Sequence, residues 1–65
     1  MEDYQQRVVD ERDEIHEKII RLVAFLVDPA LLSRLNKGEL SRLERQLTIM
    51  ESYRDVLGER ILAFT

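Results

Sequence analysis

Two stretches of the chain repeat residues at alternating spacings of three and four, which is the pattern of helices that pack along one seam. The first stretch covers residues 8–26 and the second covers residues 40–64. One arginine interrupts each stretch, Arg12 in the first and Arg54 in the second. The seam residues are Val8, Arg12, Ile15, Ile19, Leu22 and Leu26, and then Leu40, Leu43, Leu47, Met50, Arg54, Leu57, Ile61 and Phe64. The pattern predicts two long amphipathic helices that pack on each other.

Residues between the two stretches mark where the helices begin and end. Pro29 disfavours helical geometry in the residue before it, and Asp28 at that position can cap a new helix. Asn36 fits a second N-cap, and Glu39 three positions later fits the other half of a capping box. We therefore predict a single domain over residues 1–65. Its helices are expected at about 3–27, 29–34 and 37–64.

An antiparallel hairpin fixes which residues of the two seams face each other. If Leu26 lies beside Leu40, the numbers of facing residues add up to about 66, and Arg12 then faces Arg54. Two guanidinium groups at one height need acidic partners or a bound anion, because an unpaired buried charge is costly. The seam arginines are therefore candidate functional residues.

The length of the chain favours self-association. It has 65 residues, of which 45% are hydrophobic and 35% charged, and it contains no cysteine. Below about 70 to 80 residues, a single core rarely supplies more than about 3 to 5 kcal/mol without disulfides, metals, oligomerisation or unusually good helix packing. We expect an all-α protein, an antiparallel hairpin of two long helices with a short helical connection, which assembles as an oligomeric helical bundle.

A second stripe of residues beside each seam favours the same conclusion. It contains Val9, Asp13, His16, Ile20, Val23 and Val27 in the first helix, and Ile49, Tyr53, Val56, Arg60 and Ala63 in the second. One hairpin partner cannot cover both the seam and this stripe. We therefore predict a homo-oligomer, a dimer or a higher assembly.

Charge and hydropathy exclude two classes of partner. The net charge is −3 and no run of basic residues exists, which argues against binding to duplex nucleic acid. The longest apolar runs contain only a few residues, so no membrane span is expected. The N-terminus is acidic and polar, unlike a signal peptide, and the cytosol is the expected compartment.

Catalytic residues are scarce. The chain has one histidine, no cysteine and no glycine-rich loop, so nucleophilic and P-loop chemistry lack their parts. His16 and Asp13, three positions apart on a helix, have the spacing of metal ligands. A lone histidine beside carboxylates is more often solvated or ion-paired, and we predict no metal site. We expect a protein that is not an enzyme and needs no cofactor.

Arginines and tyrosines gather at the open end of the predicted hairpin. Guanidinium groups bind phosphate as a bidentate fork, and aromatic rings stack on bases. The candidate ligand-binding residues are Tyr4, Arg7, Arg12, Tyr53, Arg54 and Arg60. The alternative is that these arginines form structural ion pairs, Arg7 with Glu11, Arg12 with Glu51, and Arg54 with Glu51 or Glu11.

Several segments resemble a known family. They are residues 4–11, residues 18–25, the pair Arg45-Gln46, and the positions from Met50 to Phe64. They resemble a family of small proteins of tailed phages, related to one first named in crAss-like phage. Polar positions match along with the heptads. The resemblance implies a phage or prophage origin and carries no activity with it.

A looser resemblance concerns the architecture. The two-helix layout is similar to the hairpin of phage anti-CBASS and anti-Thoeris sponges, small oligomers that sequester cyclic nucleotide signals between protomers. This resemblance implies a non-enzymatic protein of the host cytosol that oligomerises and binds a cyclic nucleotide immune signal. The alternative is a helical module that binds and inhibits a host protein through its second stripe.

Overall fold

The computed structural model describes residues 1–64, which form three helices. Helix α1 spans Asp3–Leu26, α2 spans Pro29–Leu32 and α3 spans Lys37–Leu62. Each helix begins at the residue where the sequence places its start and ends one or two residues before its expected end. After α2 the chain tightens into hydrogen bonds three residues apart, from the N–H of Leu35 to the carbonyl of Leu32 at 3.0 Å. Such bonds terminate a helix because they narrow its last turn.

Side-chain caps hold the starts of α2 and α3. The carboxylate of Asp28 accepts a hydrogen bond from the N–H of Ala30 at 3.0 Å. The side-chain oxygen of Asn36 accepts from the N–H of Glu39 at 2.7 Å. The reciprocal bond of a capping box is absent at α3 within residues 1–64, because the Glu39 carboxylate accepts instead from Nε of Arg42 at 3.3 Å.

Two contacts between α1 and α3 establish their direction and register. The hydroxyl of Tyr53 donates a hydrogen bond to the carboxylate of Glu11. The rings of Tyr4 and Phe64 pack edge to face, with centroids 6.0 Å apart and planes at 80°. Early residues of α1 thus meet late residues of the chain, so the helices are antiparallel. The two pairs lie close to the predicted register.

The seam forms a thin core. Only three side chains of the described residues are fully buried: Val8, Ile19 and Leu57. The other apolar seam residues are half-buried. Several large apolar side chains outside the seam are exposed, among them Ile20, Val23, Val27, Ile49 and Val56. Two helices can enclose only one row of side chains between them, which leaves the second stripe in solvent.

The molecule is elongated, with extents of 47, 16 and 14 Å. These extents are those of one pair of helices lying side by side. Among the helices of residues 1–64, none combines the length and the apolar character that crossing a membrane requires.

Candidate functional site

Arg12 and Arg54 line one continuous groove at the open half of the hairpin. The groove has two lobes, of about 320 and 420 Å³, and both arginines border each lobe. The first lobe is completed by α1 and the second by α3. Its other lining residues are Asp13 and His16 from α1, and Asp55, Gly58, Glu59 and Leu62 from α3. We call this surface the arginine groove.

Each groove arginine forms an ion pair with the residue that follows it. Nη2 of Arg12 lies 3.2 Å from Oδ1 of Asp13, and Nε of Arg54 lies 3.4 Å from Oδ1 of Asp55. The same Arg-Asp dipeptide therefore occurs at the same height on both helices. The two seam cations are balanced locally, by carboxylates at the mouth of the groove.

The ion pairs expected with Glu51 and Glu11 are not found within residues 1–64. The carboxylate of Glu11 accepts instead from the hydroxyl of Tyr53. An aspartate adjacent to each arginine lies close enough to compete with partners on the opposite helix, because its short side chain leans towards the same groove.

The ion pairs of the groove are exposed to solvent. The side chains of Arg12 and Arg54 are 38% and 29% exposed, and those of Asp13 and Asp55 are 63% and 69% exposed. Exposed ion pairs contribute about 0 to 1 kcal/mol, so a stronger anion can displace these carboxylates. Both guanidinium groups bond one carboxylate oxygen through Nε and Nη2, which leaves Nη1 without a recorded partner in the described chain.

The hairpin has two faces, which differ in the side of the seam that each helix presents. Asp13 and Asp55, each one residue after a seam arginine, line the arginine groove. Glu11 and Tyr53, each one residue before a seam arginine, meet on the opposite face. We call these the groove face and the back face. In antiparallel helices, residues that follow the seam share one face and residues that precede it share the other.

This division separates the candidate ligand-binding residues. Arg12 and Arg54 come together in the groove. Tyr53 lies on the back face, and helix periodicity assigns Arg7 and Arg60 to the same face, since each precedes a seam residue by one position. Tyr4 packs on Phe64 at the open end. Within one copy of the chain, the groove thus contains two of the six candidates.

Sequence reasoning did not single out the groove residues contributed by α3. Asp55, Gly58 and Leu62 each follow a seam residue by one position, which is the signal that could have identified them. On α1, Asp13 and His16 were noted as potential metal ligands. Within residues 1–64, no group of three or more histidine, aspartate or glutamate side chains could hold a metal ion.

Comparison with known proteins identifies the family of the chain. None of the curated proteins and none of the solved structures that were compared with it matches. The model of one protein family, described as Sequestin, matches residues 2–63 and so covers both long helices and the connection between them. The chain therefore belongs to the Sequestin family.

Proposed function

We propose that this protein is a non-enzymatic phage anti-defence protein of the host cytosol, which oligomerises and sequesters a cyclic nucleotide immune signal. The observation that carries the proposal is the pair of guanidinium groups, Arg12 and Arg54, on the walls of one groove. The family name, Sequestin, supports sequestration as the activity. The resemblance to small phage proteins supports the proposed origin.

Phosphate is the ligand group that suits the arginine groove. A guanidinium group binds phosphate through two parallel N–H bonds, which are stronger than the single-oxygen contacts that Arg12 and Arg54 make with Asp13 and Asp55. Displacing an exposed carboxylate costs little, for the reason given above. The two arginines are at one height and on different helices, so they suit a ligand with two phosphate groups or one phosphate held from both sides.

The dimensions of the groove explain why the proposal includes an oligomer. Its lobes of about 320 and 420 Å³ are at the lower end of the range of small-molecule sites, which is roughly 300 to 1,000 Å³. Tight sites bury about 70 to 90% of the ligand, whereas Asp13 and Asp55 at the mouth of this groove are mostly exposed. A second copy that covers the groove would supply the missing burial.

Binding without catalysis is proposed on chemical grounds. The groove contains one imidazole, His16, and no thiol or hydroxyl nucleophile. A sequestering protein needs only affinity, and its ligand should be recovered intact when the protein is denatured. This property separates sequestration from degradation in a direct assay.

The first test is a thermal-shift panel with cyclic dinucleotides, cyclic trinucleotides and cyclic ADP-ribose isomers. A ligand at about 100 times its dissociation constant adds about 2.7 kcal/mol of stability, which for a domain of this size raises the melting temperature by roughly 10 °C. We expect one messenger to give such a shift. Heating the complex and analysing the supernatant by chromatography should return that messenger unchanged.

Variants test whether the arginine groove is the site. Arg12→Ala and Arg54→Ala should abolish the shift while the helical circular dichroism signal persists. Arg21→Ala is the matched control, because it removes the same charge from an exposed position of α1 away from the groove. Folded Arg12→Ala and Arg54→Ala variants that bind every messenger as the wild type does would overturn the site assignment.

A second candidate function is a helical module that binds and inhibits a host protein. Exposed apolar side chains favour it: Ile49 is 68% exposed, Val56 50% and Ile20 49%. Such a surface suits an amphipathic helix of a partner. If no messenger shifts the melting temperature, this candidate becomes the leading one.

A further inference from the structure

Two exposed apolar patches lie on opposite faces of the hairpin. The α1 patch consists of Ile20, Val23 and Val27, each one residue after a seam position, and therefore belongs to the groove face. The α3 patch consists of Ile49, Tyr53 and Val56, each one residue before a seam position, and belongs to the back face. No single neighbour docked on one face can cover both patches.

We propose that copies of this chain associate head to tail, with the α1 patch of one copy docked on the α3 patch of the next. Contacts between different surfaces of identical subunits either close into a ring or grow into a filament, and a ring is the expected form of a discrete protein. The proposal rests on the proposed function only in the identity of the ligand that the assembled site would hold.

The surface area of the chain supports a second copy as the occupant of these patches. The accessible surface is 5028 Å², about 700 Å² more than the roughly 4,300 Å² of a compact monomer of this mass. A standard protein interface buries about 800 Å² on each partner. The excess is therefore about what one copy loses in one stable contact.

The spacing of the two patches selects an antiparallel contact. From Ile20 the α1 patch continues after three and then four residues, and from Val56 the α3 patch runs backward with the same steps. Antiparallel docking therefore aligns Ile20 with Val56, Val23 with Tyr53 and Val27 with Ile49. Parallel docking would leave the middle pair out of step by one residue, about 1.5 Å.

This register carries back-face residues of the next copy towards the arginine groove. One turn beyond Ile20 lies His16, and one turn beyond Val56 lies Arg60, so Arg60 of the next copy meets the His16 wall of the groove. Asp13 on the same wall has the opposite charge. The head-to-tail contact thus joins candidate residues that one copy holds on opposite faces.

Charged substitutions in the two patches test the contact by hydrodynamic mass. Val23→Glu and Val56→Glu should each weaken assembly by at least about tenfold, because each buries an unpaired charge. Both positions are exposed within the hairpin, so each variant should keep its helical signal. Ala24→Glu and Ser52→Glu, at exposed positions outside the patches, are the matched controls and should assemble like the wild type.

Mixing the two patch variants distinguishes head-to-tail contacts from symmetric ones. The Val23→Glu copy keeps its α3 patch and the Val56→Glu copy keeps its α1 patch, so an equimolar mixture should form a heterodimer that grows no further. If each patch instead docked on itself, each variant alone would form a homodimer and the mixture would contain no heterodimer. That result, or a monomeric wild type, would overturn the proposal.

A cysteine pair tests the register without any ligand, since the native chain contains no cysteine. His16→Cys in the Val56→Glu copy and Arg60→Cys in the Val23→Glu copy should form a disulfide-linked heterodimer under mild oxidation. Ala24→Cys in place of His16→Cys is the control that should not cross-link. Equal cross-linking at both positions would contradict the register. A cross-link without messenger binding would leave the assembly standing and defeat only the proposed function.

The heterodimer also reveals which copy supplies Arg60 to the site. With the messenger that gives the largest thermal shift, Arg60→Ala in the Val23→Glu copy should weaken binding at least about tenfold. The same substitution in the Val56→Glu copy should leave binding unchanged. Equal effects in the two copies, or none in either, would overturn the composite site even where sequestration itself is confirmed.

Discussion

The hydroxyl of Tyr53 donates a hydrogen bond to the carboxylate of Glu11 across the two long helices. Within residues 1–64 it is the only hydrogen bond between α1 and α3, since the others join residues close in sequence. It lies one residue before both seam arginines and so anchors the register on the back face. The groove depends on this register, because a slip of one turn would separate Arg12 from Arg54.

Tyr53→Phe should lower the melting temperature modestly. The change removes the bond and keeps the ring, and an exposed hydrogen bond of this kind contributes about 1 kcal/mol, or roughly 4 to 8 °C in a domain of this size. Glu11→Gln keeps an acceptor and should cost less. A double-mutant cycle of the two, measured at one protein concentration, gives the pairwise energy. Strictly additive losses would mean that the bond contributes nothing to stability.

Leu57→Ala should be severely destabilising. Leu57 is 1% exposed and is one of three fully buried side chains, so its truncation leaves a cavity in a core with little else to hold it. Truncations of this kind cost about 2 to 5 kcal/mol. Urea denaturation followed by circular dichroism measures the loss. Leu62→Ala is the control, since Leu62 is 86% exposed and its truncation should change stability by less than about 0.5 kcal/mol.

Gly58→Ala should stabilise the helix. A methyl group at Gly58 meets no atom within 4 Å, so the substitution gains helix propensity of about 0.8 to 1 kcal/mol without a steric penalty. Gly38→Ala is the comparison, because a methyl group there approaches Nη1 of Arg42 and the cap oxygen of Asn36 to 3.4 Å. We expect thermal melts to show a clear gain at Gly58 and a smaller one at Gly38. No gain at Gly58 would indicate that a neighbouring copy occupies the space above it.

Much of the hairpin could be predicted because local rules determine it. Heptad spacing fixes which residues of each helix meet, and an antiparallel turn then fixes their register. Asp28 and Asn36 cap helices for reasons that reside within four residues of chain. These rules placed Arg12 opposite Arg54 without any knowledge of the tertiary structure.

The composition of the candidate site could not be predicted in the same way. A stripe that follows the seam by one residue in α1 and a stripe that precedes it by one residue in α3 read alike in sequence, yet antiparallel packing turns them to opposite faces. Tyr53 and Arg60 were therefore grouped with Arg12, whereas the structure pairs Tyr53 with Glu11 on the back face. The direction of each guanidinium group depends on its neighbouring aspartate, which heptad analysis does not consider.

Replacing Arg12 and Arg54 together by leucine separates a structural role from a binding role. Leucine completes the apolar seam, and converting charged pairs to apolar contacts is often neutral or stabilising by about 1 to 4 kcal/mol. The half-buried positions of both arginines make room for such contacts. We therefore expect the double variant to melt at a higher temperature than the wild type and to lose messenger binding. Aspartates 13 and 55 would be left without partners, but both are mostly exposed and remain hydrated. A sequence that keeps two arginines where leucines would be more stable uses them for something other than folding. A lower melting temperature for the double variant would show instead that the Arg-Asp pairs hold the hairpin together, and the case for an anion site in the groove would then lose its physical basis.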